Sequence, residues 1–247
     1  MPISRLDMGT GEEFTRPAVL KSAIAEFFST LLFVFASQGS SVSFRKLAGG
    51  GGQTPTGLLI SALSNSFALS AAVAASAKTS GGHVNPAITF ALFLGGHITL
   101  VRAILYIAAQ LMASISATLL LEVATGADPP PAEAVAAMSN AVVIEGFKTF
   151  GLVITVCAVA AEGELGGGKA ALAPLAIGFA VGANVLVGGS FDGAVMNPAA
   201  TFGPAVVGWV WDGIWLCWAA QFVGGGLAGI LYEYFFGKSL RLQICDC

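Results

Sequence analysis

The residues of this chain that could do chemistry are few, and their spacing is unusual. Asn-Pro-Ala occurs twice, at Asn85-Pro86-Ala87 and at Asn197-Pro198-Ala199, each time after a glycine-containing approach and before about ten apolar residues. Glu26, Glu145 and Lys148 stand inside apolar runs, and His83 lies two residues before the first box. Ionisable groups in such runs are costly and point to function. Cys157 and Cys217 fall in apolar runs, and Cys245 and Cys247 fall at the end of the chain, so neither a disulfide framework nor a prenylation box results. No nucleophile, base and orienting group assemble from these residues, and no metal-ligand cluster does, so neither an enzyme nor a cofactor is expected. A pair of asparagine amides can instead donate hydrogen bonds to the oxygen of an uncharged molecule.

Such amides need elements to hold them. Asn is a favoured N-cap and Pro a favoured first helical residue, so each box starts a helix. The apolar stretches that follow, 85–94 and 197–207, are too short to cross a bilayer. At 1.5 Å per residue, eleven residues give about 16 Å against a hydrocarbon core of ~30 Å. They read as re-entrant half-helices. Six other segments are long and apolar enough to span: 21–42, 57–77, 102–124, 140–161, 171–189 and 214–236. Turn formers separate them at Gly49–Gly52 with Pro55, at Pro129-Pro130-Pro131 and at Gly166–Gly168.

Composition agrees with a membrane protein. Of 247 residues, 55% are hydrophobic and only 10% charged, too few to cover a soluble domain. A net charge of −3 with no basic cluster argues against a nucleic-acid partner. The 32 glycines exceed the ordinary share of ~7% and suit helices that approach closely in lipid. Residues 1–20 carry charges and a proline with no apolar core, so no cleavable signal peptide is expected there.

The boxes also mark an internal repeat. Asn85 and Asn197 are offset by 112 positions, Ala108-Ala109-Gln110 recurs as Ala219-Ala220-Gln221, and Glu26-x-Phe28-x-Thr30 recurs as Glu145-x-Phe147-x-Thr149. The chain reads as one channel domain, 1–247, with repeat halves at about 18–126 and 137–237 and short terminal tails. Three spans per half force the second half to lie inverted relative to the first, which brings the broken segments together near the midplane. Six spans put both termini on one side. That side collects Arg5, Arg16, Lys21, Lys78, Arg102, Lys169, Lys238 and Arg241 against Arg45 and Lys46 opposite, so the termini are expected to be cytosolic.

Half-helices entering from opposite faces present two N-termini, each with about +0.5 charge, to one narrow column. Cations, hydronium included, are repelled there, while the Asn85 and Asn197 amides bind a passing oxygen. A water held through both lone pairs cannot relay a proton. This arrangement suits a channel for small uncharged solutes.

Ser80-Gly81-Gly82-His83-Val84-Asn85-Pro86-Ala87 and Gly193-Ala194-Val195-Met196-Asn197-Pro198-Ala199, with Phe202-Gly203-Pro204, resemble the major intrinsic proteins, the aquaporins. Thr15-Arg16-Pro17, Gly178-Phe179, Gly182-Ala183-Asn184 and Gly224–Gly226 with Tyr232-Glu233 resemble the plant tonoplast branch. The resemblance implies an all-α membrane fold of six tilted helices and two half-helices, a homotetramer in the lipid bilayer with one pore per subunit, and residence in the vacuolar membrane. It further implies a filter of four positions, which fall here on Asn65, Ile177, Ala194 and Ala200. Most water-selective relatives carry Arg at the last of these, and many tonoplast members carry His at the first. Ala and Asn in their place imply a wider, less polar constriction that passes water with glycerol, urea, ammonia or hydrogen peroxide.

Three alternatives stand beside this reading. Another side chain, such as Glu133 of the loop after the third span, refills the gap and keeps the pore water-selective. A secondary transporter also uses inverted repeats and broken helices, although no unpaired midplane carboxylate is available here to couple an ion. Face-to-face tetramers would make a membrane junction. The resemblance assigns Glu26 and Glu145 to bracing the loops that carry the boxes, and makes His83 the pore-lining histidine of the cytosolic side. A purely structural histidine is the other reading. Lys148 either pairs with Glu145 three residues earlier or snorkels to the interface. His97 reads as an interfacial residue, and Gln110 and Gln221 as interhelical hydrogen-bonding groups.

Overall fold

The structure, a computed structural model, describes residues 6–49, 54–128, 139–163 and 169–236. Eight α-helices follow one another in these residues: α1 Pro17–Leu47, α2 Pro55–Ser80, α3 Pro86–Leu94, α4 Leu100–Thr125, α5 Ser139–Gly163, α6 Lys169–Asp192, α7 Pro198–Val207 and α8 Ile214–Phe236. Six are long and apolar enough to cross a membrane. The other two, α3 with 9 residues and α7 with 10, are the expected short helices. No strand occurs among the described residues. The Pro129–Pro131 run, Glu133 and Gly166–Gly168 lie outside them.

Local chemistry fixes the helix ends. Thr54 and Thr99 accept from the backbone N–H of Gly57 and Arg102, capping α2 and α4, and Pro55 opens α2 as a first-turn proline. Left-handed Gly81 and Gly126 end the same two helices. The α1 helix runs well past the expected 21–42, because Arg45 and Lys46 in its last turn favour the negative helix end and no breaker precedes Ala48.

The packing repeats. In the first half α1 lies against α2 and α4, and in the second α5 lies against α6 and α8; α2 and α6 close the contact between halves. The short helices cross over, α3 packing mainly on α8 and α7 mainly on α4. Small residues permit this closeness. A methyl on Gly224 of α8 would overlap the carbonyl of Gly146 on α5, which is how glycine serves helix crossings in lipid. Large apolar side chains such as Phe28, Phe67, Phe147 and Phe179 are exposed on the outside, while Phe33, Leu69, Ile88 and Leu152 are buried inside.

The N-terminal segment is less of a tail than expected. Gly11–Phe14 forms a 3₁₀ turn, the Glu13 carboxylate accepts the Thr99 hydroxyl at 2.6 Å, and Leu100 N–H donates to the Asp7 carbonyl at 2.9 Å. It is thereby tied to the link between α3 and α4.

Candidate functional site

The two Asn-Pro-Ala boxes meet back to back. Each Asn caps its own half-helix, Asn85 Oδ1 accepting from Ala87 N–H at 2.8 Å and Asn197 Oδ1 from Ala199 N–H at 3.0 Å. The other end of each amide reaches across: Asn85 Nδ2 donates to the Met196 carbonyl at 2.7 Å and Asn197 Nδ2 to the Val84 carbonyl at 3.0 Å. The starts of α3 and α7 are therefore held together reciprocally, deep in the protein, with both Asn residues buried.

The residue before each Asn is bent the wrong way for its type. Val84 has φ +57° and Met196 φ +52°, left-handed values that branched or bulky side chains rarely adopt. Such strain persists only where the surroundings over-determine it. Here both backbone groups of each residue are bound. The carbonyls take the Asn amides, and the N–H groups donate to Glu26 Oε2 at 2.7 Å and Glu145 Oε1 at 2.5 Å. Glu26 also accepts from Ser80 Oγ, from His83 N–H and from Gln110 Nε2 at 2.8 Å. Glu145 accepts from Gln221 Nε2 at 2.6 Å. Both carboxylates are fully buried. They supply what irregular chain at membrane depth lacks, an internal acceptor.

The halves differ at Lys148. Its ammonium lies 2.9 Å from Glu145 Oε2 and 2.5 Å from Asp192 Oδ1, and the side chain is 2% exposed. Of the two roles left open for it, the ion pair is what forms, and snorkelling is not. Asp192 also accepts the backbone N–H of Ala194 at 2.9 Å. A buried cation thus grips, through one carboxylate, the segment that leads into the second box. Asp192 was missed in the sequence, although an ammonium inside a span calls for carboxylates.

On one side of the boxes a cavity of about 620 Å³ reaches from Phe44, Arg45 and Thr54 down to Asn65, Val185, Ala194 and Ala200. Three of the four expected filter positions therefore share one space. Ile177 is not among them. It is buried in the apolar core, and Val185, two turns later on α6, lines the cavity instead. Residues 177, 181 and 185 recur on one helix face, so spacing finds the face but not the depth. Asn65 is held by Ser37, whose hydroxyl donates to Oδ1 at 2.8 Å, and by its own donation to the Ser61 carbonyl at 2.9 Å. Ser37 and Gln38 of α1, passed over in the sequence, also line this space.

His83 lies outside that cavity. It is 5% exposed, its Nδ1 is 3.1 Å from Thr89 Oγ1, and its ring meets the Tyr106 ring edge-on. His97, expected at an interface, is nearly buried, with Nε2 3.8 Å from Glu233. Burial and the neighbouring His83 hold its pKa below the ordinary histidine value. Gln110 and Gln221 join helices as expected, α4 to α1 and α8 to α5. Among the described residues no group of His, Cys, Asp and Glu could hold a metal.

Comparison with known proteins gives consistent results. The family described as Major intrinsic protein matches residues 13–232. Aquaporin TIP1-1 of Arabidopsis thaliana is 52% identical over 247 residues, covering 99% of this chain and 98% of its own length. Aquaporin TIP1-1 of Zea mays is 51% identical over 246 residues with the same coverage. In three dimensions the aquaglyceroporin from Plasmodium falciparum is similar with a TM-score of 0.70 at 18% identity, covering 88% of this chain and 96% of that one, a likeness of fold.

Proposed function

The chain belongs to the major intrinsic protein family, the aquaporins, as a tonoplast-type membrane channel, and on that premise we propose that it passes water together with small uncharged solutes such as glycerol, urea, ammonia and hydrogen peroxide. One observation carries the solute range: the cavity is lined by Asn65, Ala194 and Ala200, three of the expected filter positions, together with Val185, and none of these bears a charge. A solute crossing there sheds part of its hydration against carboxamide and methyl groups, with no fixed cation to reject bulk.

Proton exclusion follows from the boxes. Each Asn amide gives one N–H to the opposite half and keeps a second for a permeant oxygen, beside two helix N-termini of like sign. A water oriented by both amides has no free lone pair for a neighbour's proton. The roles assigned to Asn85, Pro86, Ala87, Asn197, Pro198 and Ala199 at the constriction, to Glu26 and Glu145 as braces, and to His83 on the cytosolic side belong to this reading. So do cytosolic termini, an inverted repeat, a homotetramer that covers part of the exposed apolar surface, and the vacuolar membrane suggested by the relatives' names.

The test is flux in proteoliposomes. Water permeability well above empty vesicles, solute flux linear in concentration and independent of ion gradients, and no proton current are expected. Flux that saturates at low concentration or needs an ion gradient would indicate a transporter and overturn the reading.

A further inference from the structure

We infer that Gln38 of α1 is a fifth member of the filter, a fixed amide donor that faces the permeant beside Ala200; this rests on the channel reading. Gln38 sits in an apolar run, where an amide side chain needs partners. It has them at both ends. The Thr118 hydroxyl on α4 donates to Gln38 Oε1 at 3.0 Å, and Gln38 Nε2 donates to the carbonyl of Ala200 at 3.2 Å. The single Thr118 proton is shared between Gln38 Oε1 and the Ser114 carbonyl one turn earlier on α4, also at 3.0 Å, which keeps the hydroxyl on its own helix.

This geometry does two things. It fixes the carboxamide plane against Ala200, the smallest side chain able to occupy that position short of glycine, so the space beside its methyl group is bounded by an amide and not left open. It also orients the amide: with Oε1 tied to Thr118 and one N–H to Ala200, the remaining N–H has no protein acceptor among the described residues, on a residue that lines the cavity. Gln38 is 6% exposed, so this donor is reached from the cavity and not from the outer surface.

The lining is then mixed. Asn65, held by Ser37 and Ser61, and Gln38, held by Thr118 and the Ala200 carbonyl, bring carboxamide groups into the same cavity that Val185, Ala194 and Ala200 line with apolar groups. A solute that carries both oxygen and carbon surfaces, a polyol or an amide, finds a match for each. Gln38 thus bears on selectivity through an N–H to solute oxygen, and Thr118 is the residue that positions it.

Two variants separate polarity from size. Gln38→Leu keeps the volume and removes the donor, so urea and glycerol permeability should fall about five- to tenfold, the factor for one lost hydrogen bond at a barrier. Gln38→Ala removes the bulk, so the glycerol-to-water ratio should rise by roughly threefold or more, by the same relation between barrier and rate. Thr118→Val should shift the solute-to-water ratio in the direction of Gln38→Leu, while Thr118→Ser, which keeps the hydroxyl, should restore it. All are compared at equal incorporation with wild-type vesicles. Wild-type vesicles no more permeable than empty ones would refute the channel reading itself. If wild-type flux is normal and both Gln38 variants, incorporated and folded, keep the wild-type ratios within about twofold, Gln38 is no part of the filter and only this inference fails.

Discussion

Lys148 is the residue at which the two halves of the molecule differ most in chemistry. Its counterpart in the first half is Ser29, whose hydroxyl is satisfied by the Ala25 carbonyl of its own helix, whereas Lys148 draws Glu145 and Asp192 together across α5 and α6. Removing one member of a buried ionic group leaves the others uncompensated, a loss of about 3–5 kcal/mol. Lys148→Met is therefore expected to lower thermal stability in detergent strongly. Adding Asp192→Asn should recover part of that loss, since the amide can still accept from Ala194 N–H without a charge. Equal melting of Lys148→Met and wild type would show that the group contributes nothing to the fold. A second prediction concerns the braces. Glu26→Gln replaces a carboxylate that accepts four hydrogen bonds by an amide carrying two donors. It should release the strained Val84 turn and reduce water flux, measured per incorporated protein, more than it reduces incorporation itself.

At the scale of elements, α5 and α8 cross where Gly146 faces Gly224, and a methyl group there has no room. Gly224→Ala is expected to push the helices apart and cost about 1–3 kcal/mol, the range for overpacking, read as a lowered melting temperature with little change in solute selectivity. Unchanged stability would mean that the crossing yields easily. The same elements show why some of this architecture was legible in the sequence and some was not. Bilayer thickness sets a minimum apolar length, so the six spans and the two short helices could be read from hydropathy and from the Asn-Pro pair. Depth along a helix is not encoded that way. Ile177 and Val185 differ by eight residues, about 12 Å along the axis, yet occupy one helical face, and only tertiary packing determines that Val185 meets Ala194 and Ala200. Gln38 and Asp192 escaped for a related reason. Their partners Ala200, Thr118 and Lys148 are far away in the chain, and no local pattern announces them.

The whole molecule is a helical bundle in which left-handed backbone strain is concentrated at one layer. Val84, Ala194 and Met196 are three of the four non-glycine residues with left-handed φ among the described residues, and all three adjoin the paired boxes. Buried Glu26, Glu145, Lys148 and Asp192 surround the same layer, so the bundle's exterior is apolar while its interior holds fixed carboxylate acceptors and one ammonium donor. A rigid constriction of this kind needs no moving element to conduct, in keeping with a passive channel, and its selectivity should change with filter side chains alone. The most direct measurement is stopped-flow permeability of proteoliposomes to water and to glycerol, for the wild type and for Ala200→Arg. The wild type is predicted to pass both. The arginine variant should keep water flux while glycerol permeability falls about tenfold, which corresponds to 1.4 kcal/mol of added barrier. A wild type that passes water but no glycerol, or an arginine variant with an unchanged glycerol-to-water ratio, would contradict the account.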